Sequence, residues 1–299
     1  MINPTSGGYP VYSPREQLTP TTAARTRLPS PFGQLAALRA DADYAVGTVL
    51  LLPGYTGSKE DFSPILDPLA AAGFGALAVD LPGQYESDGP DDESEYEPLR
   101  LGAVIADVIA DLAPGGPVLL LGHSFGGLVS RGAVLSGAPV AGLILLCSGP
   151  AAFRSGERLD SLRVGEPIMR AHGKRAVYDS TVATGRAARK VVPTDVAELM
   201  RRRFLTSTEA GLLGMGAALQ HEPDRVDDLH RALTARHIPA AVIAGRDDDA
   251  WPLAEQRDMA TRLGTDLVVI DGAAHSPAVE NPAGLLAVML PLLRSWTTT

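Results

Sequence analysis

At 299 residues, the chain can bury a large core in one α/β domain that carries an insertion. Its net charge of −9 argues against nucleic-acid binding, and 45% hydrophobic with 20% charged residues is the composition of an ordinary globular protein. The longest apolar stretch, 285–293, is too short to span a bilayer and contains Pro291.

Cys147 is the only cysteine, so no intrachain disulfide can form. Residues 1–8 hold neither a basic region nor an apolar run, and a cytoplasmic location is expected.

In chain order, segments 21–28 and 33–40 read as an opening antiparallel hairpin. Apolar runs at 47–52, 75–80, 117–122, 141–147, 239–244 and 265–271 read as buried strands. Helical patterns fall near 60–72, 95–113, 125–136, 253–263 and 279–295. Strands alternating with helices imply an α/β fold, its parallel sheet covered on both faces. Residues 151–236 break the alternation and read as several helices without a strand. They hold 15 Lys and Arg against 11 Asp and Glu, whereas the rest of the chain holds 11 against 24. Arg201-Arg202-Arg203 reads as a solvated helix face.

The most informative motif is Gly122-His123-Ser124-Phe125-Gly126, set between the strand at 117–122 and the helix at 125–136. A serine on so tight a strand-to-helix turn is strained, and the flanking glycines give it clearance. The plainer reading is a glycine-rich turn with a capping serine. Two further polar loops follow apolar strands. Arg246-Asp247-Asp248-Asp249 succeeds the run ending at Gly245, and Gly272-Ala273-Ala274-His275 succeeds the run ending at Asp271. All three loops fall just past the carboxyl end of a predicted strand, the edge where open α/β sheets bind ligands.

These residues, with Pro53-Gly54-Tyr55 after one strand and Asp80-Leu81-Pro82-Gly83 after the next, resemble the α/β-hydrolase family over most of the chain. The resemblance implies the α/β-hydrolase fold, with a core of residues 1–150 and 237–299. It also implies a helical cap at 151–236, inserted after the sixth strand. In chain order it implies a Ser124, Asp248, His275 triad. Asp248 is preferred to its neighbours because relatives place the acid three residues after a strand-ending glycine, here Gly245, and four before a proline, here Pro252. Asp247 and Asp249 are expected to cap a turn or helix.

The backbone N–H groups of Tyr55 and Phe125 are implied to form the oxyanion hole, with Pro53 where the family often has His. No Gly-x-x-x-x-Gly-Lys-Ser/Thr follows Gly54, so a phosphate loop is disfavoured. Asp80 is read as structural, and Tyr85 stands where the family's loop has a glycine. Leu212, Leu213 and Met215 could line an acyl pocket, or could equally pack helices together.

The six histidines lack His-x-x-x-His or His-Glu-x-x-His spacing, so neither a metal nor another cofactor is expected. His123 reads as a packed residue beside the serine. The implied activity is hydrolysis of a small-molecule carboxylic ester through an acyl-enzyme, with a thioesterase or acyltransferase as the nearest alternative. A non-catalytic receptor on the same fold is the alternative from another class.

Overall fold

The computed structural model describes residues 16–183 and 193–297. Its strands are β1 (Ala24–Ser30), β2 (Gly33–Ala40), β3 (Thr48–Leu52), β4 (Gly75–Val79), β5 (Val118–His123), β6 (Val140–Leu146), β7 (Ala240–Gly245) and β8 (Leu267–Ile270). They form one sheet in the order β1-β2-β4-β3-β5-β6-β7-β8. The β1–β2 and β2–β4 pairs are antiparallel. From β4 to β8 every pairing is parallel. This is the α/β-hydrolase architecture expected from the sequence, a mostly parallel sheet flanked by helices.

The helices are α1 (Ser63–Ala71), α2 (Pro98–Leu112), α3 (Phe125–Leu135), α4 (Glu157–Ala183), α5 (Thr194–Thr206), α6 (Glu209–His221), α7 (Val226–Ala235), α8 (Leu253–Arg262), α9 (Pro277–Glu280) and α10 (Pro282–Thr297). The near-continuous apolar strands follow from burial on both sheet faces. Leu50, Leu52 and Leu120 join one core with Leu101 of α2 and Leu128 of α3. Their neighbours Val49, Leu51, Leu119 and Leu121 join a second core with Leu66 of α1 and Met289 of α10.

Two expectations shift. The hairpin begins at Ala24, not residue 21, because Thr21 Oγ1 and Thr22 N instead donate to Asp67 of α1, at 2.8 and 2.9 Å. The helix expected over 279–295 is two pieces, α9 and α10. Between them Asn281 leaves the helical region (φ −148°, ψ 69°), since the residue before a proline is disfavoured there. Within the stretch expected as an insertion, α7 buries Val226, Leu229 and Leu233 in the same core as α2 and α3. Its neighbours α4, α5 and α6 enclose a cavity with the carboxyl edge of the sheet. No helix of the described residues is long and apolar enough to cross a membrane.

Candidate active site

Ser124 lies between the end of β5 and the start of α3, at φ 55°, ψ −119°, a conformation that costs a non-glycine residue on the order of 1–3 kcal/mol. The surroundings impose it. Ser124 N donates to Leu146 O at 2.9 Å, and Ser148 Oγ donates to Ser124 O, also at 2.9 Å. A Cβ on Gly122 would stand 2.3 Å from Gly126 O, and one on Gly126 would stand 2.4 Å from Leu52 O. Only glycine fits either place, so the serine is held on a turn that backbone packs from three sides.

His275 follows β8 and is 8% exposed. Its Nε2 lies 2.9 Å from Ser124 Oγ, and its Nδ1 lies 2.8 Å from Asp248 Oδ1. The side chain of Asp248 is wholly buried, and it also accepts Ala250 N at 2.9 Å and Gln256 Nε2 at 2.8 Å. The three residues selected by order along the chain thus form one hydrogen-bonded series. Asp247 and Asp249 stand outside it. Asp249 accepts Arg158 of α4 at 2.7 Å, and Asp247 N donates to Ala273 O at 3.1 Å.

The peptide of Gly54 and Tyr55 passes beside the serine, since a methyl group at Gly54 would lie 3.0 Å from Ser124 Cβ. Around it the loop hydrogen bonds run from Gly57 N to Gly54 O (3.0 Å) and from Gly127 N to Ser124 O (2.9 Å). They engage neither the N–H of Tyr55 nor that of Phe125. Gln84 Nε2 donates to Gly54 O at 2.9 Å and fixes this peptide's orientation.

Asp80 has the structural position expected of it. It accepts Lys59 N at 2.7 Å and Lys59 Nζ at 2.9 Å. Burial pushes its carboxyl up to about 7, with Lys59 pulling the other way. Tyr85, at a glycine-like φ of 41°, is held there by Ser207 Oγ, which accepts its N–H at 2.9 Å, and by Lys59 Nζ over its ring.

Ser124 and His275 open into a cavity of about 510 Å³ roofed by α4, α5 and α6. Leu212 and Leu213 line it, alongside Met169, Phe204 and Tyr55. Met215 does not. It lies one position off the lining face of α6, is 2% exposed within the core, and its Sδ accepts Gln84 Nε2 at 3.8 Å. Arg203 is not on a solvated face. It is 9% exposed, lines the cavity and pairs with Asp61 Oδ1 at 2.7 Å.

His123 lies closer to the chemistry than its sequence position suggests, with its ring centroid 4.9 Å from that of His275. Cys147 Sγ, Asp248 and His275 offer ligand atoms within 4.8 Å of one another. Burial pushes the thiol well above its usual range and Sγ accepts Gly245 N, which suits a packed thiol more than a metal-binding thiolate.

Over residues 49–288 the chain matches the alpha/beta hydrolase family, and it belongs to that family. A similar curated protein is the 2-succinyl-6-hydroxy-2,4-cyclohexadiene-1-carboxylate synthase of Escherichia coli. It is 28% identical over 258 residues, which is 82% of this chain and 93% of the relative. A carboxylesterase from the thaumarchaeon Nitrososphaera gargenis superposes with a TM-score of 0.72 at 20% identity, over 91% of this chain and 99% of its own. An N-acyl homoserine lactonase superposes with a TM-score of 0.70 at 21% identity, over 93% and 98%.

Proposed function

We propose that the chain is a serine hydrolase that cleaves a small-molecule carboxylic ester through an acyl-enzyme on Ser124. The observation that carries this reading is the series from Ser124 Oγ to His275 Nε2 (2.9 Å) and from His275 Nδ1 to Asp248 Oδ1 (2.8 Å).

A serine hydroxyl is a weak nucleophile until a base takes its proton. His275 Nε2 accepts that proton as Oγ attacks the ester carbonyl, and Asp248 orients the ring and stabilises the imidazolium. The tetrahedral oxyanion is met by the N–H groups of Tyr55 and Phe125, each worth about 3–4 kcal/mol of barrier. Phe125 is the first residue of α3, so the helix N-terminus adds its partial positive charge. The carbon–oxygen bond then breaks, the alcohol leaves with the proton from His275, and the acyl group stays on Ser124. Water, deprotonated by His275, attacks the acyl carbon; the bond from that carbon to Oγ then breaks, Oγ takes the proton back from His275, and the carboxylic acid leaves.

Helices α4–α6 act as the cap, and the apolar lining at Leu212 and Leu213 receives the acyl chain. We place α7 with the core. The esterase and lactonase likenesses support an ester as substrate, without naming it.

The test joins a fluorophosphonate probe to a panel of p-nitrophenyl esters and acyl thioesters of graded chain length. Labelling of Ser124 with ester turnover, both lost in Ser124→Ala, is the expected result. Faster turnover of thioesters would move the assignment to a thioesterase. A protein that the probe labels but that turns over nothing in the panel would overturn ester hydrolysis, and would direct the search to the synthase reaction named for the Escherichia coli relative.

A further inference from the structure

We infer that His123 is a positioning residue for His275, fixing the base from its main-chain side while Ser124 meets it at the ring. This rests on the reading of Ser124 and His275 as nucleophile and base.

His123 Nε2 lies 2.6 Å from the carbonyl oxygen of His275. A carbonyl can only accept, so Nε2 carries the proton and the ring's tautomer is set. Two successive residues of one turn therefore hold one histidine at two points: His123 at its backbone and Ser124 at its Nε2.

The peptides on either side of the base are pinned as well. Glu280 Oε2 accepts Ala274 N at 2.7 Å and Ser276 N at 3.0 Å. Together, Glu280 and His123 satisfy a donor before, a donor after and the acceptor at the base itself. Removing His123 would leave the His275 carbonyl without that bond, free to re-aim the loop that carries the ring.

The chemistry also favours a neutral donor at this point. His275 must become an imidazolium during turnover, and a second positive charge beside it would oppose that. Burial, then the proximity of His275, depress the pKa of His123 to about 4, against weaker opposite pulls from its hydrogen bond to the His275 carbonyl and from Asp61 and Asp248. In neutral solution the ring is thus uncharged, a donor to the carbonyl that adds no net charge. A lysine or arginine in its place would supply the same hydrogen bond with the wrong charge.

The test compares wild type with His123→Phe, which keeps ring bulk without a donor, and His123→Gln, whose Nε2 reaches the same distance. His123→Asn, polar but too short, serves as a second loss variant should the Phe variant not fold. Three readings are taken on each folded protein: kcat and KM on the best ester of the panel, the rate of fluorophosphonate labelling, and the low-field proton resonance of His275 Nδ1–H bonded to Asp248. The loss variants are expected to lower kcat and the labelling rate by about 10- to 100-fold, with KM within about twofold. They should also shift or broaden the low-field resonance, and Gln should recover most of the loss.

A folded loss variant with wild-type kcat and an unmoved resonance would overturn the positioning role. Equal impairment of the Gln and loss variants would do the same. If the wild type itself is not labelled at Ser124, the hydrolase reading fails, and the resonance still decides whether His123 sets the ring of His275.

Discussion

Gln256 holds the far oxygen of Asp248. Its Nε2 donates to Oδ2 at 2.8 Å and to Trp251 O at 2.9 Å, so both oxygens of this buried carboxylate are occupied as acceptors. Three consecutive aspartates differ in this respect, because only Asp248 is enclosed by donors that include the imidazole.

Asp248→Asn should therefore keep the fold and lower kcat by up to ~10⁴, if the chymotrypsin-type precedent transfers. Gln256→Leu should cost about tenfold, the worth of one hydrogen bond to a charged group. The same Asn change at Asp247 or Asp249 should leave kcat within severalfold. Steady-state kinetics on the four folded variants checks the order. Near-normal kcat in Asp248→Asn beside an inactive neighbour would reverse it.

Gly126→Ala should destabilise the protein by about 3 kcal/mol or more. The new Cβ would stand 2.4 Å from Leu52 O and 2.6 Å from Pro53 O, both backbone atoms that cannot turn aside. Urea unfolding of the variant against wild type measures the loss.

Leu213→Ala should alter the ratio of long- to short-chain ester turnover and leave short esters nearly as before, because Leu213 faces the cavity. Met215→Ala should do the opposite. Its side chain is core, so truncation should cost about 2–5 kcal/mol of stability and leave the ratio unchanged. Denaturation together with the ester panel separates the two.

Acid should weaken the fold through His123. The folded pKa of about 4 lies below the usual 6.5, so the unfolded chain binds a proton more readily between these values. Stability from this group is complete above about pH 6.5 and is lost as pH falls towards 4. His123→Phe should lack that share of the decline. Unfolding curves for both proteins at pH 7.5 and pH 4.5 give the comparison, and parallel declines would exclude His123 as the source.

The layered architecture was legible because each strand of the parallel sheet is an apolar run. Ser124, Asp248 and His275 were picked out by the resemblance to the α/β-hydrolase family, each lying in a loop past the carboxyl end of an apolar run. What escaped the sequence depends on partners far along the chain. Arg203 looks like one of three surface arginines until Asp61, 142 residues away, is seen to neutralise it inside the cavity wall. Asp249 likewise gives no sign in the sequence that Arg158 of α4, 91 residues away, pairs with it. His123 looks like a packed neighbour of the serine until the carbonyl of His275 comes to rest on its ring nitrogen, 152 residues distant. Periodicity carries no information about such pairs. Met215 fails for a local reason, since one step around α6 separates a lining face from a packed one.

The chain entering α4 and the chain leaving α6 are tied to each other: Ala152 N donates to Glu222 O at 2.9 Å, and Phe153 N donates to Leu219 O at 2.9 Å. Every described residue that α4, α5 and α6 present to the cavity lies between those two points, while Ser124, Asp248 and His275 all lie outside them. The roof is thus a cassette whose two ends meet at one doorway. Changes in length there would enter and leave at one place, but side chains in between still brace the core: Arg158 pairs with Asp249, Arg203 with Asp61, and Ser207 holds Tyr85.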